Sequence, residues 1–144
     1  MRALIPVFHS DGKQRRDYIY VDDLINLAIL VQKTKGFDCV NVSSNQNYSV
    51  NEMYDITRQI MNKDIPATYT DTGNYWCKYP ELYEGAFPIR NEILEHEVNK
   101  YSLCENTLAR EKYGWVPLVD MKQGLKNVVE YIVQLLSTKV GTNR

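Results

Sequence analysis

Residues 22–31 most strongly constrain the fold, because the helix that they predict is apolar on nearly every side. The apolar positions are Leu24, Ile25, Leu27, Ala28, Ile29, Leu30 and Val31. A helix with this pattern is typically buried on several sides. We therefore expect it to pack between other elements, with Asp22 as its N-cap.

Short apolar runs predict strands around this helix. Residues 4–8 lead into a His-Ser-Asp-Gly turn, residues 17–21 form a second extended run, and residues 39–42 follow the glycine that closes the helix. Residues 67–100 show only short extended pieces. We interpret that stretch as strands and long loops.

Three further helices are predicted from capping and periodicity. Ser49 and Glu52 have the spacing of a capping box at the start of one helix. A short helix over residues 107–112 is expected to stop at Gly114, and apolar residues at helical spacing after Met121 predict a final helix. The order of strands and helices, without internal repeats, indicates an α/β fold.

Composition narrows the classes of protein. The chain has 144 residues, 44% of them hydrophobic, and a net charge of -1, which fits one globular domain and argues against nucleic-acid binding. We expect no membrane span and a cytoplasmic location, because the sequence has neither a long apolar run nor a signal peptide. The cysteines, Cys39, Cys77 and Cys104, have wide spacing that suggests neither disulfides nor a metal site, and we expect reduced packing residues.

Three sequence blocks resemble one enzyme family. Residues 12–24, GKQRRDYIYVDDL, closely resemble a signature of extended short-chain dehydrogenases that act on nucleotide sugars. Two further blocks follow in the family's order, one over residues 40–52 and one from Tyr113 through Leu125. The chain is thus similar to the C-terminal portion of an NAD-dependent epimerase/dehydratase, such as a UDP-glucose 4-epimerase.

This resemblance implies a fold and a division into domains. The strand near Val40 would lie at the edge of a Rossmann-type sheet, and the remaining elements would form a small α/β substrate-binding domain. Residues 1–144 would then be a single sugar-nucleotide-binding segment without the N-terminal dinucleotide-binding domain. The family often has glycine where this chain has Ser43 and Asn45.

The chemistry of the family needs two motifs that this sequence lacks. The seven glycines do not have the spacing of the turn that binds a dinucleotide pyrophosphate. None of the eleven tyrosines is followed four residues later by lysine, the pair that removes a hydroxyl proton in this family. We therefore assign no catalytic, cofactor-binding or metal-binding residue, although NAD or NADP is implied for the complete enzyme.

Three residues are predicted to bind substrate, a nucleotide diphosphate sugar of UDP or dTDP type. Arg16 matches the position at which relatives place an arginine against the diphosphate, and Arg90 resembles a second such arginine. Tyr75 belongs to an aromatic group that could stack on the base or sugar, or could simply fix loops to the core. Arg15 is expected to be solvated.

Two other hypotheses remain open. The chain could be a non-catalytic interaction module that docks on another chain or self-associates through an exposed apolar face. It could also belong to a nucleotide-sugar reductase, because the residues that distinguish these reactions lie chiefly outside this segment.

Overall fold

The structure, a computed structural model, describes residues 5–141, with side chains up to residue 138. In this part of the chain a 3-10 turn over Pro80–Tyr83 accompanies six α-helices: α1 (Val21–Val31), α2 (Val50–Met61), α3 (Gly73–Trp76), α4 (Asn91–Val98), α5 (Thr107–Tyr113) and α6 (Met121–Gly141). Among the described helices, none is long and apolar enough to cross a membrane.

Within residues 5–141, four short strands form two separate pairs. β1 (Val7–Phe8) pairs in parallel with β4 (Thr68–Tyr69), and β2 (Arg15–Asp17) pairs antiparallel with β3 (Asn47–Ser49). The other edge of β2 is also bonded, because the Arg15 N–H donates to the Lys100 carbonyl (2.8 Å) and the Arg15 carbonyl accepts from the Ser102 N–H (3.0 Å). β2 therefore has neighbours on both sides.

The core lies where α1 and α5 meet the segment after α5. Leu27, Ala109 and Trp115 are buried, and the residues packed against them are Ile19, Leu30, Val31, Val40, Val42 and Tyr113. The buried Asp23 joins the two parts, because its carboxylate accepts from the backbone N–H groups of Leu118 (3.0 Å) and Val119 (3.1 Å). Its carbonyl accepts from the Trp115 indole N–H (3.0 Å).

The predicted N-cap of α1 is wrong. The helix follows Tyr20, which caps it without a side-chain hydrogen bond, and Asp22 lies inside the first turn. The neighbouring Asp23, rather than Asp22, points into the protein and bonds backbone groups from another segment. The structural role of Asp23 therefore comes from tertiary hydrogen bonds and not from capping the helix.

The prediction that α1 is buried on several sides is also wrong for the described chain. Only Asp23 and Leu27 are buried in this helix. Its exposed apolar side chains, with 44–56% of their surface accessible, are Val21, Leu24, Ile25 and Ile29. This side remains largely exposed among residues 5–141, and we call it the open face of α1.

The strand predictions hold only in part. β1 occupies Val7–Phe8, whereas Leu4 lies outside the described residues, and the extended run predicted at 17–21 is displaced to β2. Residues 39–42 form no ladder, since no described strand lies beside them, although Val40 and Val42 pack on the core. All three cysteines are exposed, so the expectation that they pack inside is wrong.

Residues 67–100 are more helical than the sequence suggested. The structure places α3, the 3-10 turn and α4 within this stretch, beside the short β4. α4 was missed because it is only eight residues long and has polar side chains around most of its surface. Pro80 stands at the start of the 3-10 turn, where its missing N–H is not needed.

The start of α2, the end of α5 and the final helix follow their sequence signals. The capping box is confirmed, because the Ser49 hydroxyl accepts from the Glu52 N–H (3.1 Å) and the Glu52 carboxylate accepts from the Ser49 N–H (2.7 Å). Gly114 ends α5 with a left-handed φ of 65°, as predicted. The final helix is also confirmed as α6.

A partly buried network holds the end of β2. The Asp17 carboxylate accepts hydrogen bonds from the Ser43 hydroxyl, from the Ser44 N–H (3.0 Å) and hydroxyl (2.8 Å), and from the Cys104 N–H (3.2 Å). Burial raises the pKa of Asp17, but these hydrogen bonds favour the ionised form and bring its pKa below the ordinary 3.8.

The two departures from the family's glycines both serve this network. Ser43 is fully buried, and its oxygen contacts Asp17 and accepts from the Asn45 N–H (2.9 Å). Asn45 has a φ of 58°, in the left-handed region that asparagine tolerates better than most residues. Serine therefore adds a hydrogen-bonding group, while asparagine keeps the backbone conformation that glycine would allow.

Replacing Ser49→Ala removes one half of the capping box. We expect the free energy of unfolding to fall by about 1 kcal/mol, the usual worth of such a cap. Chemical denaturation measures this change. Ser137→Ala is the control, since the Ser137 hydroxyl only bonds back to the Val133 carbonyl on exposed α6. An equal loss in both variants would contradict a specific role for the cap.

Asp17→Asn removes the charge that gathers the hydrogen bonds around β2. We expect a loss of about 1–2 kcal/mol in unfolding free energy near neutral pH, because several donors lose their ionised acceptor. Since the pKa of Asp17 is lowered in the folded chain, its contribution is present above the unfolded value and is lost as pH falls through the folded value.

The difference between the parent and Asp17→Asn should therefore begin to shrink below about pH 4, where the unfolded carboxyl takes up a proton while the folded one is still ionised. Denaturation at several pH values tests this. Asp64→Asn is the matched control, because Asp64 is almost fully exposed and pairs with Arg58 only at the surface. A gap that stays constant down to pH 2 would rule out the ionised Asp17 as its cause.

Candidate functional site

β2 places its two arginines on opposite sides. Side chains alternate along a strand, so Arg15 and Asp17 share one face and Arg16 lies on the other. Arg15 is not solvated as predicted. Its guanidinium donates to the side-chain oxygen (2.9 Å) and carbonyl (3.0 Å) of Asn47 and pairs with Glu52 (2.8 Å). Arg15 therefore serves the fold, and Arg16 is the arginine of β2 left for another role.

Arg16 contacts the C-terminal half of α4. Its Nη2 donates to the carboxylate (2.7 Å) and to the backbone carbonyl (3.1 Å) of Glu97. The other terminal nitrogen, Nη1, is buried and has no hydrogen-bond partner among the described residues. A buried guanidinium N–H without an acceptor costs free energy, so Nη1 is the donor of Arg16 that the described residues leave unsatisfied.

Glu97 bridges two cations. Besides Arg16, its carboxylate accepts from the Lys100 ammonium at 3.0 Å. The hydrogen bond from Lys100 lowers the pKa of Glu97, and the charge of Arg16 adds to the effect. Arg16, Glu97 and Lys100 therefore form a charge cluster with one net positive charge, which we call the Arg16 cluster.

Arg90 lies at the other end of the same helix. It is the N-cap residue of α4, and its exposed guanidinium has no partner within the described range. Seven residues of helix separate Arg90 from Glu97, which corresponds to about 10 Å along the axis. The two predicted arginines are thus linked through α4 without touching each other.

Tyr75 belongs to an aromatic group beside the end of β1. Its ring centroid lies 4.8 Å from that of His9, 5.1 Å from that of Trp76 and 5.6 Å from that of Tyr79. The Thr72 hydroxyl also donates to the His9 carbonyl (2.7 Å), which holds α3 against β1. Tyr75 contacts neither predicted arginine, so the structure does not join the three residues into one set of contacts.

A cavity that was not predicted lies elsewhere. It has a volume of about 310 Å³ and lies between the β2–α1 connection, α2 and the start of α6, and its walls include Tyr18, Tyr20, Tyr48, Met53, Val119 and Leu125. Gly124 in α6 permits it, because a Cβ there would stand 3.2 Å from the Tyr20 ring. A glycine inside an otherwise regular helix was the sequence signal for this close approach.

The described glycines do not form the kind of turn that cradles a dinucleotide pyrophosphate. Gly12 has a left-handed φ of 72°, but the space beside it is filled by the Asn51 amide, 2.0 Å from where a Cβ would stand. Gly36, Gly85 and Gly114 also have positive φ, yet each stands alone in its own turn. Within residues 5–141 there is also no group of His, Cys, Asp and Glu that could hold a metal ion.

The sequence matches a known family over most of its length. The family model for GDP-mannose 4,6 dehydratase matches residues 4–128. A Methanocaldococcus jannaschii protein with the provisional name UDP-glucose 4-epimerase is 26% identical over 127 residues, which cover 88% of this chain and 34% of that protein. GDP-mannose 3,5-epimerase 1 of Oryza sativa is 27% identical over 117 residues, 81% of this chain and 25% of its own length.

Solved structures share the fold. UDP-glucose 4-epimerase of Thermotoga maritima, determined with UDP-glucose, aligns with a TM-score of 0.69 and 26% identity, over 92% of this chain and 36% of that one. UDP-glucuronic acid 4-epimerase of Bacillus cereus, determined with UDP-glucuronic acid and NAD, aligns with a TM-score of 0.65 over 90% of this chain and 36% of that one.

The chain spans between a quarter and about two-fifths of the length of the relatives that it matches. The neighbours confirm the predicted α/β class and its relation to Rossmann-type epimerases. The matched residues also include all three sequence blocks that carry the resemblance. The protein is therefore a member of the GDP-mannose 4,6 dehydratase family, related to nucleotide-sugar epimerases and dehydratases.

Proposed function

We propose that this chain is the sugar-nucleotide-binding part of an NAD(P)-dependent nucleotide-sugar epimerase/dehydratase and is catalytically incomplete alone. The observation that carries the proposal is Arg16, whose guanidinium is fixed by Glu97 while Nη1 has no acceptor among the described residues. A diphosphate supplies the planar, anionic oxygens that arginine binds best. Arg16 is the residue that contacts the diphosphate.

Arg90 and Tyr75 complete the proposed site. Arg90 offers a second guanidinium, without a partner among the described residues, on α4, the helix that also contacts Arg16. Tyr75 is partly exposed beside His9, so one of its edges is open to a flat ligand. The competing interpretation, that Tyr75 only fixes α3 to β1, predicts no change in ligand affinity when the ring is removed.

The ligand class follows from the relatives. The Thermotoga maritima epimerase was solved with UDP-glucose, and other relatives are named for UDP-glucuronate and GDP-mannose. These ligands share a nucleoside diphosphate and differ in base and sugar. We therefore propose a nucleotide diphosphate sugar, of UDP or dTDP type, and leave the sugar unassigned. A cytoplasmic location remains a prediction.

The chemistry would need residues beyond this chain. When bound, NAD or NADP supplies hydride transfer in such enzymes, but the described glycines hold no pyrophosphate cradle. The sequence also lacks the tyrosine and lysine pair that removes a substrate proton. The residues of this chain bind and orient the sugar nucleotide, and a dinucleotide-binding segment would carry the reaction.

Titration calorimetry with UDP-glucose tests the binding role of Arg16. The parent chain should bind UDP-glucose weakly and show no binding to NAD. Arg16→Ala should weaken the affinity at least tenfold, because a charge-assisted contact to the diphosphate is lost. Arg110→Ala is the control, since Arg110 is an exposed arginine of α5 without a side-chain partner in the described chain.

Two results would overturn this proposal. The first is a parent chain with no measurable affinity for UDP, dTDP or GDP sugars. The second is an Arg16→Ala variant that binds as tightly as the parent and as Arg110→Ala. Binding of NAD by the parent would instead contradict the claim that the cofactor needs another segment.

The open face of α1 supports the second hypothesis, a module that docks on another chain. Its apolar side chains are exposed to solvent, and exposed apolar patches of this kind often mark contacts with another protein surface. Residues 39–42 lie next to the same core and have no strand beside them in the described chain. We propose that the dinucleotide-binding sheet that the family contains covers this face, with residues 39–42 at its edge.

Light scattering on the chain alone tests this docking face. Without its partner the parent should self-associate through the open face, and Ile25→Glu should shift it toward monomer because a charge there opposes burial. Ile93→Glu is the matched control, because Ile93 is equally exposed but lies on α4. A parent chain that is a monodisperse monomer at high concentration would contradict an adhesive face.

A further inference from the structure

The ion pair between Arg16 and Glu97 joins residues that are 81 positions apart in the chain. Glu97 uses both its carboxylate and its backbone carbonyl as acceptors, at 2.7 Å and 3.1 Å from the same nitrogen of Arg16. The Arg16 side chain is 26% exposed in this arrangement. Glu97 therefore covers much of the cation that the proposed function assigns to the diphosphate.

A carboxylate and a phosphate compete for the same hydrogen-bond donors of the guanidinium. Both present anionic oxygens that accept from the terminal nitrogens of arginine at about 2.7–2.9 Å. Glu97 already occupies one such nitrogen, and its negative charge would lie next to an incoming diphosphate. The two anions would repel each other, so they cannot both contact Arg16 at full strength.

The contact is also of a kind that a ligand can displace. The Glu97 side chain is about half exposed, and ion pairs at the surface contribute little to stability. Lys100 remains as a second partner for Glu97, at 3.0 Å, if Arg16 is released. The Glu97 carboxylate can therefore leave Arg16 and still keep one positively charged partner, Lys100.

We propose that Glu97 determines the affinity of this site by occupying Arg16 until a nucleoside diphosphate displaces it. This inference rests on the proposed function, because it assigns the displaced contact to the same arginine. In the free chain the carboxylate of α4 stands in for the anion and keeps the guanidinium oriented. In the bound chain a phosphate oxygen replaces it, and Glu97 turns to Lys100.

Glu97→Gln tests the competition directly. Glutamine keeps the size of the side chain and leaves the backbone carbonyl in place, but removes the negative charge. Calorimetry with UDP at low ionic strength should show about three- to tenfold tighter binding than in the parent. The gain should shrink at 0.5 M salt, where charges at the surface are strongly screened.

Glu95→Gln is the matched control. It removes the same charge from the same helix, and the Glu95 carboxylate has no hydrogen bond or ion pair in the described part of the chain. It should change the affinity less than twofold. Equal tightening in both variants would show a general charge effect and overturn the proposal, as would weaker binding by Glu97→Gln.

Arg16→Ala separates this inference from the function on which it rests. If Arg16→Ala loses UDP binding while Glu97→Gln binds like the parent, Arg16 contacts the diphosphate but Glu97 does not compete for it. If Arg16→Ala binds like the parent, the proposed function itself fails. The double variant Arg16→Ala/Glu97→Gln should bind no more tightly than Arg16→Ala alone, because the guanidinium for which Glu97 and the diphosphate compete is then absent.

Discussion

The Asp17 carboxylate organises the part of the chain on which the site depends. Its hydrogen bonds gather Ser43, Ser44 and Cys104, which come from two distant segments, around the end of β2. With Asp17 turned to one side of the strand, alternation places Arg16 on the other. The hydrogen bonds to Asp17 therefore also fix the side of β2 on which Arg16 lies.

Local signals were sufficient wherever a few adjacent residues decide the structure. The reciprocal bonds of Ser49 and Glu52 and the left-handed Gly114 depend on the chain within four residues, and both were predicted. The burial of α1 and the strand at 39–42 failed for the opposite reason. Each depends on a neighbouring element, and the described chain offers none at those places.

In the candidate site, too, local sequence signals identified some residues, whereas others depend on distant parts of the chain. The motif around Asp17 identified Arg16 through the family resemblance, but no local pattern could reveal Glu97, since α4 itself is short and weakly patterned. Arg15, adjacent to Arg16 and chemically identical, proved to be structural because Asn47 and Glu52 lie on its side of β2. The resemblance singled out Arg16, and the pairing of the strands gives the physical reason why Arg15 is held by the fold instead.

Gly124 gives the cavity beside α6 an unusual origin. The helix has no methyl group at this position, which lets the Tyr20 ring in the cavity wall approach the backbone. An interior glycine weakens a helix by about 1 kcal/mol relative to alanine. The first turns of α6 therefore give up intrinsic helicity where the Tyr20 ring packs against them, and a Cβ at residue 124 would force that ring, which lines the cavity, to shift.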